Sequence, residues 1–218
     1  MNNMINAVIF DLDGVIVDSE PVHQAIEKKL FHELKINVSK SFHQTLVGMN
    51  EENLWRKVLT AYGIDADLSD IVKRKRTYLR IYLQKPYLFK PVTGVIPLIR
   101  KLNSMGIELA LASSSPKFYI DFILHNLGID GLFGVVVSGE EVIHSKPAPD
   151  IFLEAAMRLR KKPELCLVIE DSTNGIKAAK SAGMTALGFG TIQGHQDLSD
   201  ADFHLEHFDD FDLKEYGL

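Results

Sequence analysis

Ala7-Val8-Ile9-Phe10-Asp11-Leu12-Asp13-Gly14-Val15 is an apolar run that ends abruptly in two carboxylates and a glycine. Four apolar residues without polar alternation describe a strand buried on both faces, as parallel sheets require. The acidic turn that follows lies where open α/β sheets bind ligands, beyond the carboxyl end of a strand. Working outward, residues 107–112, 135–137, 165–169 and 185–189 are short apolar runs of the same kind. Residues 95–104, 118–127, 149–159 and 174–182 carry helical periodicity between and beside them, so strands and helices alternate. The expected fold is α/β: a Rossmann-like open parallel sheet with helices on both faces and right-handed crossovers.

The interval between the first two strand runs breaks that alternation. Ser19 stands where a helix N-cap belongs, with Glu20 and Pro21 in the first turn. Val22, Ile26, Leu30 and Leu34 then recur on one helix face, and residues 51–62 and 68–83 form two further helical blocks. The expectation is a core domain of residues 1–16 and 89–218, interrupted by an all-helical cap domain at 17–88. The crossings at 15–18 and 87–93 are the natural hinges.

A formal charge of -5 over 218 residues excludes a surface built to collect nucleic acid or anionic lipid. Cys166 is the single cysteine and sits inside an apolar run, so a packed thiol and a reducing, cytoplasmic setting are expected. No secretory leader or membrane-length apolar stretch is visible, and a monomer is expected. Lys73-Arg74-Lys75-Arg76 reads as a solvated helix face. Gly188, Gly190 and Gly194 lack dinucleotide spacing, and His204, Glu206 and His207 lack a further well-spaced ligand. Trp55, Tyr78, Tyr82 and Tyr87 read as packing residues of the helical segment.

The residues that end the strand runs are the candidates for chemistry: Asp11 and Asp13, then Ser113, then Lys146 before Pro147, then Glu170 and Asp171. Each alone is an ordinary turn or cap former. Together, carboxylates converging on one sheet edge repel unless a cation neutralises them, and an all-oxygen site suits Mg²⁺. With a divalent ion present, Ser113 and Lys146 suit phosphoryl oxygens. Asp11 is a sensible nucleophile because it needs no general base and forms a labile acyl phosphate.

These residues, in this order and strand context, resemble the four motifs of the haloacid dehalogenase superfamily. The helical insertion resembles the cap of its subfamily I, and 14–20 with 145–150 resemble the β-phosphoglucomutase and sugar-phosphatase group. The resemblance implies Asp11 as nucleophile and metal ligand, and Asp13 as acid/base with its backbone carbonyl on the metal. It implies Asp171 as a further ligand and Glu170 as holder of a water in the metal's shell. Ser113, Ser114 and Lys146 would bind the phosphoryl group. Glu20, His23, Gly48, Asn50, Glu51, Ser115 and Lys117 would read the rest of the substrate.

The match departs where a mutase needs cations for a second phosphate. Val47 and Glu51 stand where the mutase cap loop places Lys and Arg, and Ser115-Pro116-Lys117 replaces its Ser-Lys-Asn stretch. A carboxylate there opposes a second phosphate. The expected function is therefore an Mg²⁺-dependent phosphatase acting on a sugar or polyol phosphate through an aspartyl-phosphate. A phosphosugar mutase is the alternative. A receiver-type signalling domain shares the acidic cluster, hydroxyl and lysine, but its length and motif order disagree.

Overall fold

The computed structural model describes residues 4–46, 49–190 and 196–218. Its central sheet contains β1 (Ala7–Phe10), β4 (Glu108–Ser113), β5 (Val135–Ser138), β6 (Cys166–Glu170), β7 (Thr185–Phe189) and β8 (Phe203–Leu205), in the order β5-β4-β1-β6-β7-β8. Every pairing is parallel. Helices α5 (Val95–Ser104) and α6 (Lys117–Leu127) pack on one side, α7 (Asp150–Leu159) and α8 (Thr173–Ser181) on the other.

Side chains alternate across a strand, and here the two faces differ in bulk. Val8, Phe10, Leu109, Leu111 and Leu167 face α5 and α6, whereas Ala7, Ile9, Ala110, Ala112 and Ala186 face α7 and α8. Small residues on the second face let those helices sit close to the sheet. The expected strand at 165–169 begins one residue later and includes Glu170, so that carboxylate leaves from a paired, rigid position.

Between β1 and α5 the chain forms a two-stranded antiparallel ribbon, β2 (Val17–Asp18) with β3 (Lys90–Pro91). The helices α1 (Glu20–Glu33), α2 (Lys40–Gln44), α3 (Glu51–Tyr62) and α4 (Leu68–Leu83) lie between these two strands in sequence. Val22, Ile26 and Leu30 of α1, Trp55 and Val58 of α3, and Ile71 and Leu79 of α4 are buried in one cluster that continues onto the sheet. Asn50 caps α3 by accepting from Asn53 N at 2.9 Å, and Gly63 ends it with φ of 60°.

Two expectations change here. Lys75 is buried rather than solvated, because it shares a helix face with Ile71 and Leu79, one turn away on either side. Tyr87 is exposed, while Trp55 is fully buried as expected. Strand β8 is a further element: its Phe-His-Leu alternates polar and apolar residues at the sheet edge and does not read as a buried run. Cys166 is buried in β6, and burial pushes its thiol up to about 11, as expected of a packed thiol. Among the described residues no helix is long and apolar enough to cross a membrane.

Candidate active site

The carboxyl ends of β1, β4 and β6 open into a cavity of about 280 Å³ whose other wall is made by α1, α2, α3 and α4. Asp11 leaves the end of β1, its N–H donating to Ile169 O at 3.0 Å. Lys146 reaches it from the loop before α7. This ammonium is buried and spends its donors on Asp11 Oδ1 at 2.7 Å, Glu170 Oε1 at 2.6 Å and Ala112 O at 3.2 Å. Glu170 Oε2 accepts from Ser172 N and Ser172 Oγ, each at 2.9 Å. Two glycines make room: a Cβ on Gly175 would overlap the Glu170 carboxylate, and one on Gly14, whose φ is +81°, would overlap that of Asp171.

Charge on this edge is out of balance. Burial pushes Asp11 up to about 8, against the pull of Lys146 and with the push of Glu170 and Asp13. Burial, then Glu170 and Asp11, also raises Asp171 well above the carboxylate range. Burial opposes the charge of Lys146, but Asp11 and Glu170 outweigh it and hold the ammonium protonated. Asp11, Glu170 and Asp171 offer oxygens within 4.8 Å of one another. One lysine cannot neutralise this set, and the donors are all oxygen, so the residues present fit a hard divalent cation. Asp13 is outside that trio, because its carboxylate is directed elsewhere.

Asp13 Oδ1 accepts from Ser19 Oγ at 2.5 Å and Tyr119 OH at 2.9 Å and lies 3.3 Å from His23 Nε2, while Oδ2 accepts from Ser115 Oγ at 2.6 Å. Burial disfavours its charge, yet His23, Ser115 and Ser19 outweigh burial and hold its carboxyl well below the usual range. This arrangement favours the ionised carboxylate of Asp13. Ser19 occupies the N-cap position of α1 without capping it, since its hydroxyl is committed to Asp13. That diversion, together with the buried Tyr119, escaped the sequence because both residues have sufficient structural readings there.

The expected residues divide cleanly. Asp11, Asp13, Ser113, Ser114, Ser115, Lys146, Glu170 and Asp171 line the cavity, as do Glu20, His23 and Glu51 from the helical side. Ser113 Oγ is buried and accepts from Ser115 N at 3.1 Å. Asn50 does not line it, because its side chain is used as the α3 cap. Nor does Lys117, an exposed residue whose ammonium pairs with Asp121 one turn along α6. Gly48 and Val47 lie outside the described residues.

The helical wall also holds three residues that the sequence did not single out for the site: Glu27, His43 and Lys75. His43 Nε2 lies 2.5 Å from Glu27 Oε2. Lys75 Nζ stands 4.0 Å from both Glu27 Oε1 and Glu51 Oε1. Arg76 joins the wall to the sheet side, with Nε on Glu51 Oε2 at 2.7 Å and a terminal nitrogen 2.8 Å from Glu140 Oε1. Asn53 Nδ2 donates to Ser145 Oγ at 2.6 Å across the same boundary.

The chain is similar to known proteins over most of its length. The chain is 34% identical over 218 residues to a β-phosphoglucomutase from Bacillus subtilis, covering 96% of this chain and 93% of the relative. It is 31% identical to a phosphorylated carbohydrates phosphatase from Thermotoga maritima, covering 88% of each. The crystal structure of a β-phosphoglucomutase from Clostridium difficile superposes with a TM-score of 0.87 at 27% identity, over 97% of this chain and 95% of that one. A family model described as haloacid dehalogenase-like hydrolase matches residues 5–183, from the strand that carries Asp11 to the helix that follows Asp171. The chain with this acidic sheet edge and its clamped lysine belongs to the haloacid dehalogenase-like hydrolases.

Proposed function

We propose that the protein is an Mg²⁺-dependent phosphatase that hydrolyses a small sugar or polyol phosphate through a phosphorylated Asp11. The observation that carries the reading is the Asp11–Lys146–Glu170 chain: a carboxylate at the end of the central strand, pinned by a buried ammonium and facing a cavity sized for one small metabolite. Asp11 Oδ attacks phosphorus, the ester P–O bond breaks, and the departing oxygen takes a proton from Asp13. Water then attacks the acyl phosphate, returns a proton to Asp13, and releases Asp11 and inorganic phosphate. The hydrogen bonds that hold the Asp13 carboxyl low favour its ionised form, which suits the second half. For the first it must be protonated, and His23 Nε2 at 3.3 Å is the neighbour placed to relay a proton.

Asp11, Asp171 and the Asp13 backbone carbonyl would hold Mg²⁺, with Glu170 behind them; the ion would supply charge neutralisation for the phosphoryl oxygens. Ser113 and Ser114 would bind those oxygens on the opposite side, and Lys146, with its donors on Asp11, Glu170 and Ala112 O, would offset charge between nucleophile and phosphate. The helical segment 17–88 would act as a cap over the core, excluding water until transfer. Hydrolysis is favoured over the mutase chemistry named in the Bacillus relative because a carboxylate, Glu51, stands buried in the wall where a second phosphate would lie.

The test is inorganic phosphate release from a panel of sugar, polyol and nucleoside monophosphates, with Mg²⁺ and with EDTA, beside Asp11→Asn. Release that needs Mg²⁺ and Asp11 is the expected result. Conversion of a hexose 1-phosphate to its 6-phosphate without phosphate release would sink the reading in favour of a mutase.

A further inference from the structure

The helical wall of the cavity contains a polar arrangement that is incomplete among the described residues. Glu51 is buried, yet its Oε1 is without a hydrogen-bond partner there, while its Oε2 is held by Arg76. Lys75 is also buried, and among the described residues its Nζ has no acceptor closer than the 4.0 Å of Glu51 Oε1 and Glu27 Oε1. Glu27 has its other oxygen on His43. A buried carboxylate oxygen and a buried ammonium left short of hydrogen-bond distance are costly unless something fills the gap. Both line the same cavity as Asp11, with the apolar side chains of Leu54 and Leu79 also on its lining.

We propose that Glu51 and Lys75 form a hydroxyl-reading pair, so that the site takes monophosphates with an uncharged, hydroxylated distal end and rejects bisphosphates. The geometry fits one hydroxyl between the two groups. An oxygen about 2.8 Å from each of two atoms that lie 4.0 Å apart subtends roughly 90°, near the angle between donor and lone pair at an sp³ oxygen. The hydroxyl donates to Glu51 Oε1 and accepts from Lys75 Nζ. A phosphate dianion offers no proton to Glu51 and meets its charge, and Lys75 has two carboxylates beside it, so among the described residues of the wall no cation is spare. Arg76 and His43 are committed to the outer oxygens of Glu51 and Glu27. Leu54 and Leu79 suit the carbon skeleton between hydroxyls.

This inference rests on the phosphatase reading for its choice of substrates but is tested by binding, which needs no turnover. Calorimetry on Asp11→Asn with Mg²⁺ would compare a hexose monophosphate, the matching bisphosphate, and phenyl phosphate, which lacks hydroxyls. The expected order is monophosphate tightest, with each of the others at least about tenfold weaker. Adding Glu51→Gln should weaken the monophosphate about tenfold and narrow its advantage over the bisphosphate. Adding Lys75→Met should weaken it similarly and reduce its margin over phenyl phosphate. Circular dichroism confirms that each variant folds, and either one suffices. A bisphosphate that binds Asp11→Asn more tightly than the monophosphate overturns the proposal, as does a monophosphate preference that both added substitutions leave within twofold. If wild type releases no phosphate from any ester while these binding differences hold, the hydrolytic reading falls and the hydroxyl-reading pair stands.

Discussion

Two buried lysines, each flanked by two carboxylates, end in different states. Lys146 on the sheet edge is within 2.7 Å of Asp11 and 2.6 Å of Glu170, with a backbone carbonyl as third acceptor. Lys75 in the helical wall is 4.0 Å from Glu27 and from Glu51. At the first, every donor is used and the carboxylates are positioned before any ligand arrives, which is what transition-state stabilisation without reorganisation requires. At the second, a gap remains. A completed cluster on the sheet edge therefore faces an unfinished one in the helical wall; under the proposed function the first would serve the phosphoryl chemistry and the second the variable part of the substrate.

The largest effects should fall on the rigid side. Asp11→Asn should lower phosphate release by at least about 10³-fold, since the residual rate lacks the covalent route. Its melting temperature should not fall, because an amide removes a carboxylate that burial and its neighbours push up to about 8. A drop of several degrees would mean that Asp11 chiefly anchors Lys146.

Lysine deletion compares the two regions directly. Lys146→Met strands Asp11 and Glu170 in the interior and should cost roughly 3–5 kcal/mol in urea unfolding. Lys75→Met leaves Glu27 with His43 and Glu51 with Arg76, so its cost should stay within about 1–2 kcal/mol. Equal costs would erase the distinction between a completed and an unfinished cluster.

Gly175→Ala sharpens it further, because two effects predict opposite signs. Glycine within α8 is less helix-favouring than alanine by about 1 kcal/mol, so propensity alone predicts stabilisation. A Cβ there overlaps the Glu170 carboxylate, which is tied to Lys146 and Ser172 and has little freedom to move. A net loss of roughly 1–3 kcal/mol with impaired turnover is expected. A more stable, fully active variant would show that Glu170 can be displaced at little cost.

The same division explains what the sequence revealed. The parallel strands were legible because burial on both faces demands unbroken apolar runs, and a chemistry that sits at strand ends is found by reading the next residue: Asp11, Ser113, Glu170. β8 and the ribbon of β2 with β3 were not, being two or three residues long and at the periphery. The wall was illegible for a different reason. Glu51, at the start of α3, is singled out by the family resemblance, but Glu27, His43 and Lys75 come from three other helices, and each has an ordinary single-helix reading. Only their convergence distinguishes them. Lys75 carried a signal, the spacing Ile71-Lys75-Leu79, that was masked by the charges beside it. Asn50 and Lys117 stand apart from the cavity lining for the opposite reason: proximity in sequence to the loops of a site does not aim a side chain into it.

The smallest expected effect concerns the wall's own titration. The hydrogen bond to Glu27 raises His43 above its ordinary 6.5, against burial and with the added pull of the Glu27 charge. Burial disfavours the charge of Glu27, but His43 and then Lys75 outweigh it and lower this carboxyl below its ordinary 4.5. A raised histidine contributes stability that is fully present below about pH 6.5 and is lost as pH rises through its folded value. A lowered glutamate contributes stability that is present above about pH 4.5 and is lost as pH falls through its folded value. The two overlap between those limits. Unfolding free energies of wild type and His43→Gln should therefore differ most near pH 5–6, by about 1 kcal/mol, and converge above the folded value of His43. Lys75, 4.0 Å from Glu27, keeps the glutamate from being stranded as His43 deprotonates, which limits the loss on the alkaline side. A difference that stays constant from pH 5 to 9 would mean that His43 serves Glu27 as a neutral hydrogen-bond donor, and that Glu27 and Glu51 rely on Lys75 and Arg76 for positive charge.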